Sequence, residues 1–231
     1  MTSISANLQA VRERVDAAAR AVGRTADEVV VLAVSKTWPV ESILDAVTAG
    51  QRAFGENYVQ EGVAKIEALR DRDLEWHFVG PLQSNKSRTV AMHFDWVHSV
   101  DRGKLAQRLS AQRDAALAPL NVCIQVNVSG EASKSGVAPE DVVPLAGTIA
   151  ALPRLRLRGL MCIPEPDGDP EVLHGRFRTL RRLLEELNAR GFSLDTLSMG
   201  MSDDLEVAVA EGSTLVRVGT AIFGARTKSR D

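Results

Sequence analysis

Three short stretches of this 231-residue chain hold residue types that could do chemistry together. "VLAVSKTWP", residues 31–39, ends an apolar run in an amine, Lys36. A lysine beside a packed core loses hydration, which disfavours its charged form and leaves an amine able to condense with a carbonyl. "SMGMSDD", 198–204, and "RVGTAIFG", 217–224, place Ser202, Gly219 and Thr220 where helices begin, and backbone N–H groups there receive an anion. The plainer readings are a strand surfacing at a solvated lysine and two ordinary tight turns. Taken together, an amine and an uncharged anion cradle describe a ligand carrying both an aldehyde and a phosphate.

Such residues need a scaffold that brings positions 36, 202 and 219 to one place. From Leu8 the apolar residues Val11, Val15, Ala18 and Val22 follow helical spacing, so the chain starts with an outer helix. "VVVLAV", 29–34, is too uniformly apolar for a strand with a wet face and predicts a parallel sheet covered on both sides. Thr37 is expected to cap the next helix, with Pro39 in its first turn. The strand and helix unit then recurs through "RAFGEN", "LEWHFVG", "FDWVHSV", "NVCIQVNV", "LRLRGLMCI", "SLDTLSMG" and "TLVRVG", with a helix expected from Asp101 to about Leu117 after the fourth strand. In "NVCIQVNV" the apolar Val122, Ile124, Val126 and Val128 would face helices, leaving Cys123, Gln125 and Asn127 inside. About eight such units without an internal linker predict one domain over 1–231, a (β/α)8 TIM-type barrel with an extra N-terminal helix. An open doubly wound sheet is the alternative, weakened because no Gly-rich dinucleotide turn follows "VVVLAV".

Composition narrows the partners. Lys and Arg total 28 against 30 Asp and Glu, with no block of one sign, so neither nucleic acid nor a membrane surface is expected. No apolar run approaches the roughly 20 residues of a membrane span, and the first residues lack a secretory apolar core; the expected location is cytoplasmic. Cys123 and Cys162 lie in apolar stretches without a CxxC spacing, which predicts buried, reduced thiols and no metal site.

Barrels of this kind work at the C-terminal ends of their strands. The exits are Ser35-Lys36, Glu56-Asn57, His77 to Gly80, His98-Ser99, Asn127, Met161, Ser198 to Ser202 and Arg217 to Thr220. The loops after strands seven and eight are the recurrent phosphate site, so the cradle falls where the fold would put it.

The ordered motifs "AVSKTWP", "FGENYVQE", "HFVGPLQSNK", "GLMCIP", "LSMGMSDD" and "VRVGTAIFGAR" resemble, across nearly the whole chain, the YggS/PROSC family of pyridoxal phosphate homeostasis proteins. The resemblance implies a barrel like the N-terminal domain of alanine racemase, with pyridoxal 5'-phosphate bound as a Schiff base on Lys36. It further implies Ser202, Gly219 and Thr220 at the phosphate, Arg217 at the pyridine nitrogen, and Asn57 and Met161 bordering the ring. The plainer readings are a helix cap for Asn57, a core methionine for Met161 and a surface ion pair for Arg217. Trp38 stands where relatives carry a basic or smaller residue, a departure at the rim.

Enzymes that need a strong electron sink place a carboxylate on the ring nitrogen. Arginine donates only, which favours an unprotonated ring. A racemase of this type also needs a second acid or base, a tyrosine from an added domain. The one tyrosine here is Tyr58, and His77 and His98 read as structural histidines. The expected function is therefore holding the cofactor within intracellular homeostasis, with effects on amino-acid and keto-acid pools and delivery to apoenzymes, by a monomer. An amino-acid racemase and a Schiff-base aldolase-type phosphosugar enzyme are the alternatives. Gln83, Asn85 and Lys86 read as a partner surface or as a solvated loop.

Overall fold

The spacing of Leu8, Val11 and Val15 yields helix α1 (Ile4–Ala21), which buries all three and starts with Ser3 Oγ accepting the Ala6 N–H at 3.2 Å. This computed structural model describes residues 3–130, 135–165 and 169–225. After α1 come β1 (Val30–Val34) and α2 (Val40–Thr48), then β2 (Ala53–Glu56) and α3 (Val59–Ala68). Next are β3 (Glu75–Phe78), α4 (Ser87–His93), β4 (Trp96–Val100) and α5 (Gly103–Gln112), followed by β5 (Leu120–Gln125) and α6 (Val142–Ala150). The chain closes with β6 (Leu155–Met161), α7 (Pro170–Ala189), β7 (Thr196–Ser198), α8 (Leu205–Ala210), β8 (Leu215–Val218) and α9 (Thr220–Phe223).

The strands pair in chain order, all parallel, and β8 returns to β1 to close the barrel. This is the (β/α)8 barrel that the repeated apolar runs predict, because a parallel strand must be covered on both faces. Outward strand residues such as Phe54, Val97, Val122, Leu160 and Val216 form one continuous core with the helices. Inside lie two small apolar clusters, Leu32, Val79 and Leu215, and Trp96, Cys123 and Met161. The alternation expected in β5 holds: Val122 and Ile124 join the outer core, while Cys123 turns inward.

Two local expectations differ. Thr37 is not a helix cap; it has a φ of 68° and α2 begins three residues later, with Pro39 in the cap position. The helix expected from Asp101 to about Leu117 is shorter, because Arg113 leaves helical geometry at α5's end and turns its guanidinium onto the Ala91 and Phe94 carbonyls. Both cysteines are free and fully buried, and burial pushes each thiol up to about 12. Among the described residues no helix is long and apolar enough to cross a membrane, and no group of His, Cys, Asp and Glu could hold a metal ion.

The additional helix α1 is attached where the chemistry was expected. Asn7 Nδ2 donates to the Ile222 carbonyl at 2.9 Å, tying α1 to α9. Arg14 binds Glu206 at 2.6 Å and donates to the Ser202 carbonyl at 2.9 Å. An outer helix therefore braces both loops that carry the small hydroxyl and glycine residues.

Candidate functional site

The exits of β1, β2, β7 and β8 converge on one cavity of about 270 Å³. Lys36, Asn57, Ser202, Arg217, Gly219 and Thr220 all line it, six of the seven residues expected from the sequence. Val34, Val79 and Ile163 supply apolar wall, and Trp38 sits at the edge, its ring stacked on Phe223 of α9 at 5.9 Å. Met161 is the exception: it is fully buried against Trp96 and Cys123 and is absent from the lining, as in its core-methionine reading. Ile163, two positions further along the same alternation, lines the cavity instead.

Lys36 is half-buried and lies between two anchored neighbours. Ser35 continues the β1–β2 ladder through its N–H to the Gly55 carbonyl at 2.9 Å, and its hydroxyl donates to Glu56 Oε1 at 2.6 Å. Thr37 donates its N–H to Glu61 Oε1 at 2.5 Å while holding the left-handed backbone that a β-branched residue rarely adopts. Lys65 joins the two sides: its ammonium donates to the Ser35 carbonyl, Glu56 and Glu61 at 2.8, 2.7 and 2.6 Å. Burial raises the Glu56 carboxyl, and the hydrogen bonds from Lys65 and Ser35 oppose that shift. The i,i+4 spacing of Glu61 and Lys65 was visible in the sequence, but that Lys65 would also reach the Ser35 carbonyl and Glu56 was not.

Asn57 is not a helix cap either, since Tyr58 precedes α3 without a side-chain cap. Its Oδ1 is buried and has no hydrogen-bond partner, and it lines both this cavity and a second one of about 600 Å³. That second cavity is bordered by Tyr58, Gln83, Lys86 and Ser99, which places the "GPLQSNK" segment at the mouth.

Arg217 is buried rather than part of a surface ion pair. Its Nη1 donates to the carbonyl and hydroxyl of Ser198 at 2.6 and 2.9 Å, and its Nη2 donates to the Cys162 carbonyl at 2.9 Å. No carboxylate among the described residues touches it, and burial lowers its pKa. A guanidinium has five N–H donors, so two remain beyond these three contacts, on a residue that lines the cavity. In the loop after β7 Ser202 Oγ accepts the Ala221 N–H at 3.4 Å, and Asp204 shapes the same turn by accepting the Met201 N–H at 2.5 Å. Thr220 opens α9, so its N–H has no partner within that helix.

Fold and site define a (β/α)8 barrel built to bind a small molecule, with an amine at the first strand's exit and small donors across the last two. The chain belongs to the alanine racemase N-terminal domain family, whose model matches residues 6–227, and within it to the pyridoxal phosphate homeostasis proteins. It is 59% identical over 226 residues to the pyridoxal phosphate homeostasis protein of Pseudomonas aeruginosa, covering 98% of this chain and 97% of that one. A structure of PipY from Synechococcus elongatus PCC7942 with pyridoxal phosphate bound superposes at a TM-score of 0.85. That pair shares 38% identity over 96% of this chain and all of the other. The alanine racemase of Corynebacterium glutamicum, 16% identical, shares the fold at a TM-score of 0.67 over 95% of this chain and 61% of its own.

Proposed function

We propose that this protein binds pyridoxal 5'-phosphate in the smaller cavity and holds it for use elsewhere, as part of intracellular cofactor homeostasis. When bound, the cofactor supplies an aldehyde for Schiff-base formation with an amine and a ring able to withdraw electrons. The chain's residues fit that group. Lys36 offers the amine, on backbone clamped by Ser35 and Thr37. Ser202, Gly219 and Thr220 would hold the phosphate; a Cβ at Gly219 would lie 3.2 Å from the Val34 carbonyl, so glycine keeps that wall low. Asn57 brings a buried oxygen lacking a partner, which a donor on the ligand would satisfy.

The observation that carries the holding role is Arg217. It is a buried cation without a carboxylate partner among the described residues, and its two remaining N–H groups could only donate to a ring nitrogen. A ring nitrogen kept unprotonated is a poor carbanion sink. Tyr58 lines the other cavity and is 54% exposed, so it does not face Lys36 across this one. Among the described lining residues the remaining carboxylate, Asp203, adjoins Ser202 on the phosphate side. These features support binding over turnover; release to apoenzymes, an influence on amino-acid and keto-acid pools, a monomeric chain and a cytoplasmic location belong to the same proposal.

Membership in a racemase-related family favours a second reading, an amino-acid racemase, and one preparation separates the two. The purified protein is expected to be yellow, with an absorbance band lost in Lys36→Ala and a pyridoxyl group fixed on Lys36 by borohydride and located by mass mapping. Racemisation of any amino acid at enzyme-like rates would overturn the holding role. A colourless wild-type protein that takes up no added cofactor would overturn the binding itself.

A further inference from the structure

Five polar side chains run in single file through the barrel interior, from β3, β4, β7 and β8. Glu75 Oε1 lies 2.6 Å from His77 Nε2, and His77 Nδ1 lies 2.9 Å from His98 Nε2. His98 Nδ1 lies 2.8 Å from Ser198 Oγ, which accepts from Arg217 Nη1 at 2.9 Å. His77, His98, Ser198 and Arg217 are buried; Glu75, with about half its side chain exposed, is where the file meets water.

One member of this file fixes the rest. A guanidinium can only donate, so Arg217 occupies one of the two lone pairs of Ser198 Oγ, and among the described residues His98 Nδ1 is the partner that can take the serine hydrogen. His98 must then accept on Nδ1 and carry its proton on Nε2. That proton donates to His77 Nδ1, which places the His77 proton on Nε2, donating to Glu75. Each link therefore has one orientation, and reversing any of them strands the Ser198 hydrogen inside the barrel, at a cost of about 1–3 kcal/mol. Burial first, with the nearby Arg217 charge, holds His98 well below the usual imidazole range, so it is neutral. The hydrogen bond from His77 in turn lowers the Glu75 carboxyl. The surrounding charges are Asp95, which accepts the Trp76 N–H at 2.8 Å, and Arg158, 4.6 Å above the Trp96 ring that stacks on His77. Asp195 binds Arg158 in turn.

We propose that Glu75, His77, His98 and Ser198 are positioning residues for Arg217, an oriented hydrogen-bond relay that balances the buried guanidinium against a carboxylate on the opposite face of the barrel. Because Arg217 keeps its protons, the file carries polarisation and no proton into the cavity. Its effect on a bound ring rests on the cofactor reading above, whereas the orientation of the file does not.

Nitrogen NMR of histidine-labelled, cofactor-free protein tests the orientation directly. Both His77 and His98 are expected to carry a proton on Nε2 and to accept on Nδ1 at pH 7.0, about one half-unit above the ordinary imidazole value. An Nδ1–H or doubly protonated His98 would overturn the proposal. The second arm compares His98→Gln, whose amide can accept from Ser198 and donate to His77, with His98→Leu, which can do neither. His98→Leu is expected to weaken pyridoxal phosphate binding by roughly 10-fold, the scale at which partners behind a ligand-contacting group act, and to change the pH profile of the bound absorbance band. His98→Gln should restore both. Equal affinity and profile in Leu and wild type would overturn the positioning role, and the NMR arm decides the orientation even if His98→Leu fails to fold. A wild-type chain that takes up no cofactor would sink the binding reading, while the tautomers still decide the relay's orientation.

Discussion

Glu61 Oε1 accepts the Thr37 N–H at 2.5 Å, and that contact holds the residue after Lys36 at a φ of 68°. Thr37 is the sole non-glycine residue with positive φ among those described, and it is β-branched. For such a residue the left-handed region costs about 1–2 kcal/mol, so the bond from α3 keeps in place a turn that the local sequence disfavours.

Replacing Thr37 with glycine removes that strain and adds a smaller entropic cost. Thr37→Gly is expected to raise stability by about 0.5–1 kcal/mol in urea denaturation, the left-handed cost less the glycine penalty. The freed turn should also let Lys36 move, seen as faster loss of the cofactor absorbance on dilution. A less stable variant would show that the threonine side chain contributes more than its backbone costs.

Lys65 is buried against two carboxylates, and removing it leaves charge without a partner. Lys65→Met should cost about 3–5 kcal/mol, because breaking one side of a buried pair is far worse than removing both. Adding Glu56→Gln should recover part of that loss, with a coupling of roughly 0.5–3 kcal/mol in a double-mutant cycle. Additive losses would mean that the two residues do not act as a pair.

Gly80 is set by close approach. A Cβ there would stand 2.4 Å from the Asn57 carbonyl oxygen and 2.8 Å from its Cα, and backbone cannot yield as a flexible side chain would. Gly80→Ala is expected to destabilise the fold by about 1–3 kcal/mol, the range for overpacking, and to lower cofactor occupancy because Asn57 lines the cavity. Unchanged occupancy in the folded variant would remove Asn57 from the binding set.

His98 gives the barrel a pH dependence whose sign is fixed. In the folded chain its pKa lies well below 6.5, whereas in the unfolded chain the imidazole is free to protonate near 6.5. Below that pH the unfolded state binds the extra proton, so stability falls as pH falls. The slope approaches about 1.4 kcal/mol per pH unit. Wild type and His98→Gln, compared by denaturation from pH 7 down to about 5 across the imidazole range, should differ in slope by that amount. Parallel profiles would show that folded His98 does take up a proton.

Much of this protein is written in local pattern. Apolar runs such as "VVVLAV" and the recurring helical stripes dictate a covered parallel sheet, and the count of units dictates closure, because periodicity and burial are properties of short segments. The types of Lys36, Ser202, Gly219 and Thr220 likewise announce their chemistry, and the fold rule for strand exits places them together. What the sequence alone left open depends on distance between remote strands. Met161 and Ile163 sit on the same face of one extended segment, and barrel closure decides which of them meets the cavity. Arg217 could have been a surface cation. His77 and His98 look like isolated histidines until β3, β4, β7 and β8 curve round to face one another. Hydrogen-bond direction is the last thing to be settled, since a histidine's tautomer follows from its partners, and those partners lie as far as 100 residues away along the chain.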